Sequence, residues 1–383
     1  MSVATSTNSA PPSSLSDIAQ QFASGNPIIS INPLGNGNIN STFLVQTNPI
    51  ATAPQRFVLQ RINAQVFRQP ELVIQNMAVL TEHLKNNAAP AGRRWETPAI
   101  VTTQSGKNYW QDSAGEYWRA ISFIENAQPV ETIQNVEHAR EIGYGLAKFH
   151  HLISTLDTSR LADTLEGFHI TPNYLATYQT TKQQADLASQ TSSNTEQEQR
   201  QHCLNFIAQR QQWAHVLENA KASGQLKLRP IHGDPKVNNI LIGENGQAVS
   251  LIDLDTLKPG LIHYDIGDCL RSGCNRLGEE TEDIANVTFD LDLAQGILQG
   301  YLSLAQDFLT DADYDYLYDS IRLIAFELGL RFFTDYLANN IYFKVKHRRH
   351  NLTRALVQFK LTESIEQQAP QLKSIIQSLR PTP

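Results

Sequence analysis

The chain has 383 residues, 41% of them hydrophobic, enough to bury a sizeable core and to fill two domains or lobes. A net charge of −7, with no basic patch interleaved with aromatics, argues against a nucleic-acid partner, and no apolar run nears the ~20 residues of a membrane helix. Cys203, Cys269 and Cys274 form no CxxC unit and leave an odd thiol, the pattern of a reducing, cytoplasmic compartment.

Residues 1–20 open with a Ser-, Thr- and Pro-rich run without a basic start or apolar centre, which reads as a flexible tail rather than a leader or an anchor. Segments 28–34, 39–46 and 56–62 alternate apolar and polar residues between Gly, Asn and Pro, as strands do. Between the first two lie Gly35, Gly37, Asn40, Ser41 and Thr42. There backbone N–H groups and small side chains approach phosphates without a Cβ in the way, although a plain hairpin turn fits the same residues. After Pro70, Leu72, Met77, Leu80 and Leu84 share a helical face that Asn86-Asn87 and Pro90 end. Strand signals return at 98–103 and 117–124. The expectation for 21–124 is therefore a small antiparallel sheet of five strands with one helix after the third.

Past a short connection at 123–127 the reading is mostly helical, and 125–383 forms a large second lobe. Ile142, Leu146, Phe149 and Ile153 make a stripe at i, i+4, i+7 and i+11, a helix packed on the core. The Gln-, Ser- and Thr-rich stretch 180–200 reads as an exposed linker between helices or as locally disordered. Lys344, Lys346, Arg348 and Arg349 form a local basic patch, solvated or facing phosphate.

The run Ile231-His232-Gly233-Asp234-Pro235-Lys236-Val237-Asn238-Asn239 puts a carboxylate, a cation and an amide into one loop. Phosphoryl transfer asks for these parts: a base for the attacking hydroxyl, a charge for the γ-phosphoryl oxygens and an oxygen ligand for a metal. Residues 239–242 and 249–252 read as strands of a hairpin turned by Asn245-Gly246. Folding that hairpin brings Asn239 back beside Asp253, which ends an apolar run where a second metal ligand is expected. Asp234 is the candidate base, Lys236 the phosphoryl cation, and Asn239 and Asp253 suit Mg²⁺. His232 reads as a loop-holding residue, and Asp255 as a partner of the metal ligands or a turn carboxylate.

These two motifs resemble the catalytic loop and metal-binding aspartate of protein kinases, and more closely those of the aminoglycoside phosphotransferase and choline kinase superfamily. Within it the chain is similar to the N-acetylhexosamine 1-kinase group over nearly its whole length beyond the tail. Carrying the likeness are Phe57 to Asn63 with Val66-Phe67, Trp118-Arg119, Phe123-Ile124-Glu125, Gly167-Phe168-His169, the catalytic loop, Ile252 to Gly260, Tyr264 to Asp268, Glu327 to Leu337, and Tyr342-Phe343. The resemblance implies an α+β, bilobal protein-kinase-like fold and an ATP- and Mg²⁺-dependent kinase. Its acceptor would be the anomeric hydroxyl of an amino sugar such as N-acetylglucosamine or N-acetylgalactosamine. It also implies that Arg331 and Tyr342 hold the sugar, and that Phe123 and Ile124 join the nucleotide-binding residues. Arg331 shares i, i+4, i+8 spacing with Glu327 and Asp335, which also suits a solvated salt-bridge ladder.

The chain departs from the kinase pattern where the third strand should end in a lysine paired with a helix glutamate. Gln60 and Asn76 stand there instead, and the expectation is a Gln60–Asn76 hydrogen bond with Arg61 as a nearby cation. Gly233-Asp234-Pro235 also replaces the Asn-Asp-Thr frequent in the sugar-kinase group, which leaves the choice of sugar open. Two other classes stay in view: a kinase for another small alcohol (aminoglycoside, choline or homoserine type) and a non-catalytic nucleotide-binding module. Intact Asp234, Asn239 and Asp253 speak against the last.

Overall fold

A computed structural model of the chain describes residues 14–35, 39–48, 55–86, 92–187 and 193–381. They fall into two compact units, residues 1–86 with 98–125 and residues 87–97 with 126–383.

The first unit opens with helix α1 (Leu15–Phe22), where the tail expected over 1–20 had left no structure. Its cause is local: Ser14 and Asp17 cap each other's backbone in a capping box, and Ile18, Ala19 and Phe22 are buried along one face. The strands are β1 (Ile28–Pro33), β2 (Ser41–Thr47), β3 (Arg56–Arg61), β4 (Ile100–Val101), β5 (Trp110–Gln111) and β6 (Tyr117–Ser122), with α2 (Pro70–Asn86) between β3 and β4. They pair antiparallel in the order β1-β2-β3-β6-β4, with β5 also on β6. Among the described residues the sheet thus has six strands, one more than expected, because the two residues of β5 are too few to show a period. Val45, Phe57, Leu59, Trp118 and Ala120 pack with Ile18, Ala19 and Phe22 of α1 into this unit's core.

The second unit is mostly helical. It contains β7 (Ala127–Pro129), α3 (Val136–Ile153), α4 (Thr171–Leu187), α5 (Asn194–Arg210), α6 (Val216–Ala222), β8 (Arg229–Ile231), β9 (Ile240–Gly243), β10 (Ala248–Leu251) and β11 (Lys258–Gly260). Then follow α7 (Ile262–Gly273), α8 (Leu291–Ala305), α9 (Asp311–Asp315), α10 (Leu317–Leu337), α11 (His350–Gln367) and α12 (Ala369–Leu379). The stripe Ile142, Leu146, Phe149 and Ile153 is buried on α3, as its spacing requires. α3 packs on α8 at glycine contacts: a Cβ on Gly143 would lie 1.9 Å from the Ile297 carbonyl, and one on Gly300 equally close to that of Arg140. Helices α4 and α5 run into both ends of 180–200, so the described part of that stretch is ordered helix rather than linker. Its Gln, Ala, Leu and Glu are good helix formers, and Ser193 caps α5. α10 buries side chains all round and packs against α4, α7 and α11.

Candidate active site

The hairpin that carries the site forms as its sequence dictates. β9 and β10 pair antiparallel with Ile240 opposite Leu251, and the Ile252 N–H donates to the Asn239 carbonyl at 2.8 Å. Asn239 and Asp253 are thereby brought side by side. Asp253 is exposed and sits in the left-handed region, φ 65°, a strained conformation for a residue with a Cβ. Asn239 is buried; its Nδ2 donates to the Asp234 carbonyl at 2.7 Å, and its Oδ1 accepts no hydrogen bond from any described residue.

In the preceding loop the Lys236 ammonium and the Asp234 carboxylate form an ion pair at 2.9 Å. Asp234 holds the ammonium above its ordinary pKa, and Asp253 and Asp268 add to the effect. Three candidate residues therefore act on one another electrostatically. Gly233 has φ +90°, and a Cβ there would meet the Thr256 carbonyl at 2.6 Å, so only glycine fits the turn.

Buried side chains that the sequence reading left without roles grip this loop. Asp265 of α7 accepts from the His232 N–H at 2.7 Å and the Gly233 N–H at 2.8 Å, while His150 of α3 lies 2.8 Å from the same carboxylate. His232 is fully buried, and burial lowers its pKa, so it is neutral. Its Nε2 donates to the Ile252 carbonyl at 2.8 Å and its Nδ1 accepts from the Asp234 N–H at 3.2 Å. The loop-holding role expected of His232 is what this geometry shows. His169 reaches the Gly233 carbonyl with Nε2 at 2.7 Å and Glu327 with Nδ1 at 2.9 Å. A readable signal existed for one of these: Asp265 lies with Asp268 on a helix that is buried almost throughout, and a carboxylate seldom enters such a place without a partner.

Glu327, Arg331 and Asp335 are not a solvated ladder. Glu327 is buried against His169 and Thr171, and Asp335 accepts from the Tyr342 and Phe343 N–H groups and from Asn351 at 2.8–3.0 Å. Between them the Arg331 guanidinium lies 4.9–5.5 Å from the ring centroids of Phe168, Tyr174 and Phe343, and it makes no hydrogen bond or ion pair with a described residue. Burial opposes its charge, but Tyr174, Glu327, Tyr342 and Asp234 outweigh it and raise its pKa. Tyr342 exposes 60% of its surface and stands edge-on to Phe343. Asp255 is buried. The basic patch is engaged locally, with Lys346 on Glu280, Arg348 on Glu196 and Arg349 on Gln199.

In the first unit Ser41 stands opposite Arg61 and Thr42 opposite Gln60 across β2 and β3. Asn40 accepts from the Asn63 N–H at 2.9 Å. A cavity of about 250 Å³ opens at this end of the sheet, lined by Ile39, Ser41, Arg61, Asn63, Gln65 and Glu116. Gly35 has φ +71°, and Gly37 lies outside the described residues. The expected Gln60–Asn76 bond does not form. Gln60 Oε1 accepts from Nε and Nη2 of Arg119 at 3.0 and 2.7 Å, and Gln60 Nε2 donates to Thr42 at 3.2 Å. The reason is register: β3 pairs with β6 so that Gln60 faces Arg119, whereas Asn76 is buried on α2. The buried cation beside Gln60 is therefore Arg119, and Arg61 is exposed with its guanidinium on Ser41 at 3.2 Å. Ile124 is buried, and the Phe123 ring lies under the Arg56 guanidinium at 4.7 Å.

An antiparallel sheet with its helix, and a helical unit whose hairpin sets an aspartate–lysine pair beside an asparagine and a second aspartate, define a protein of the kinase-like fold. The chain belongs to the APH phosphotransferase enzyme family, whose model matches residues 30–305. Among solved structures it is similar to the aminoglycoside phosphotransferase from Alicyclobacillus acidocaldarius, with 16% identity over 97% of this chain and 99% of that one and a TM-score of 0.61. A microcompartment-associated aminopropanol kinase is 16% identical over 93% and 98% of the two chains, TM-score 0.59. The choline kinase from Cryptosporidium parvum Iowa II is 15% identical over 95% and 98%, TM-score 0.56. At these identities the likeness establishes the fold.

Proposed function

We propose that this phosphotransferase moves the γ-phosphoryl group of ATP to a small-molecule hydroxyl, and that the acceptor is the anomeric hydroxyl of an N-acetylhexosamine or a related sugar. The observation that carries the transfer reaction is the Asp234–Lys236 ion pair on a loop held next to Asn239 and Asp253. Asp234 accepts the hydroxyl proton as the acceptor oxygen bonds to the γ-phosphorus and the bond to the ADP leaving oxygen breaks. Lys236 leaves part of its ion pair with Asp234 for the phosphoryl oxygens, where transition-state charge is spread. Asn239, through its open Oδ1, and Asp253 would hold Mg²⁺, since both offer oxygen and Mg²⁺ keeps most of its waters. When bound, the metal neutralises charge on the phosphates. To the nucleotide we assign Gly35, Gly37, Asn40, Ser41, Thr42, Gln60, Arg61, Asn76, Phe123 and Ile124, and to Arg119, buried beside Gln60, the part of the missing strand lysine.

Arg331 supports the sugar. Its guanidinium lies 4.9–5.5 Å from three ring centroids, is within electrostatic reach of Asp234, and makes no hydrogen bond or ion pair with a described residue. A planar fork suits two ring oxygens or an acetamide carbonyl, and its positive charge disfavours cationic alcohols of the kind the compared kinases are named for. A panel of hexosamines and amino alcohols, incubated with ATP and Mg²⁺ and read by product NMR, tests the reading. Phosphorus coupled to the anomeric proton supports it. Phosphate on an exocyclic hydroxyl, or turnover confined to amino alcohols, moves the protein to the other class of small-alcohol kinases. Arg331→Ala and Tyr342→Phe should raise KM for the sugar and leave KM for ATP unchanged. Activity that survives EDTA in full would remove Mg²⁺ from the scheme.

A further inference from the structure

We propose that His169 is a positioning residue, a doubly protonated imidazole that straps the Gly233–Asp234 peptide to helix α10 and thereby fixes Asp234 for transfer. The proposal rests on the reading of Asp234 as the group that meets the acceptor hydroxyl.

The geometry leaves the ring few options. Nε2 faces the Gly233 carbonyl at 2.7 Å, and a carbonyl only accepts, so Nε2 carries a proton. Nδ1 faces Glu327 Oε1 at 2.9 Å, and the other oxygen of that carboxylate already accepts the Thr171 hydroxyl at 2.6 Å. Arg331, one turn further along α10, lies within electrostatic reach of Glu327. With a carbonyl on one side and a carboxylate on the other, both ring nitrogens donate. The remaining groups about the ring agree: Asp268 of α7 adds negative charge, Tyr264 of α7 stacks on the imidazole at 5.4 Å, and Tyr174 of α4 lies at its backbone. Burial works against the cation, yet Glu327 and then Asp268 outweigh it and raise the His169 pKa. The backbone of His169 itself is left-handed, φ 65°, a strain the surrounding bonds must hold.

What the strap holds is the peptide plane before Asp234. His232 takes the N–H end of that plane and His169 the carbonyl end. Asp265 fixes the two preceding N–H groups from α7, whereas His169 alone among these ties the loop to α10, four residues before Arg331. The Arg331 turn and the Asp234 carboxylate thus hang on one chain of buried bonds, Glu327 to His169 to Gly233. A glutamine at 169 has one donor group and cannot serve both ends.

Protein labelled with ¹⁵N-histidine and observed at about pH 8, well above the ordinary histidine value, tests the charge state. One imidazolium with both nitrogens protonated should appear and vanish in His169→Gln. A neutral ring at His169 overturns the proposal. Positioning is read by amide hydrogen exchange: His169→Gln should lose protection in peptides covering 231–240 while the strands of the first unit keep theirs. Its kcat should fall by about 10²-fold with KM for ATP unchanged, the scale of a displaced reacting group. Unchanged loop protection together with unchanged kcat overturns the positioning role. Should His169→Gln not fold, Glu327→Gln keeps an acceptor but removes the charge, so the His169 pKa falls. Its kcat should then drop as pH rises through the new value while the parent's does not, and a profile parallel to the parent's overturns the strap. Loss of loop protection in His169→Gln alongside full turnover in Asp234→Asn would instead break the reading of Asp234 and leave the strap standing.

Discussion

Asp234 and Lys236 pair across a single proline, so each is held by its partner and, in the proposed mechanism, would meet the substrates already oriented. Asp234→Asn keeps the size of the side chain and removes the proton acceptor. Turnover should fall by about 10²–10⁴-fold, the usual contribution of a placed base, with nucleotide affinity retained. Parallel measurements of ADP release and nucleotide binding check it, and turnover within a few-fold of the parent would contradict the assignment. Which residues were legible at this scale follows from sequence distance. Asp234, Lys236, Asn239 and Asp253 lie on one loop and one hairpin, so turn chemistry sufficed to bring them together. Gln60 meets Arg119 only through the register of β3 on β6, and His169 meets Glu327 across a separation of 158 residues. Neither pairing leaves a local trace.

Among the elements, the strands of the first unit other than β5, and the hairpin that brings Asn239 beside Asp253, were readable because alternation and an Asn-Gly turn are local signals. α1 was not read, since a short apolar stripe after a Ser- and Pro-rich run looks like the end of a tail until its capping box is considered. The parts of α4 and α5 that fall within 180–200 look like exposed linker or local disorder in the sequence, because they are polar on most faces and their apolar positions are few. The α3–α8 seam was equally hidden, because it depends on what small residues allow two backbones to do. There a single methyl is decisive. Gly143→Ala would place its Cβ 1.9 Å from a backbone oxygen, and separating the helices should destabilise the protein by about 1–3 kcal/mol, as overpacking of a filled core does. A thermal melt reads this directly. A melting temperature equal to the parent's would mean that the helices can part without loss.

For the whole molecule, acid should be the weak side. Asp268, Glu279, Asp290 and Asp313 have pKa values held below the carboxylate range; burial opposes this, but Arg271, Arg354, Arg276, Arg229 and backbone N–H groups outweigh it. A depressed carboxylate stabilises the fold above its unfolded value, about 4, and that contribution is lost as pH falls through the lower folded value. Buried His232 and His263, lowered by burial, act in the same direction from about pH 6.5 downward, because the unfolded chain binds the protons they refuse. The raised His169 opposes them, since its contribution is complete below its unfolded value and fades as pH rises through its folded one. Melting temperature should therefore decline as pH is lowered from 7 to about 4 and more steeply below; a flat profile would contradict the pairings. The three cysteines extend this to a practical end. All are buried in the second unit, and burial pushes each thiol far above its ordinary pKa. A thiol that is neither exposed nor ionised does not react with a disulfide reagent while the unit is closed. Labelling of the native protein thus becomes a clock for opening of the helical unit, and any acceptor or nucleotide that binds only the closed form should slow it in proportion to its occupancy, ranking ligands without a turnover assay.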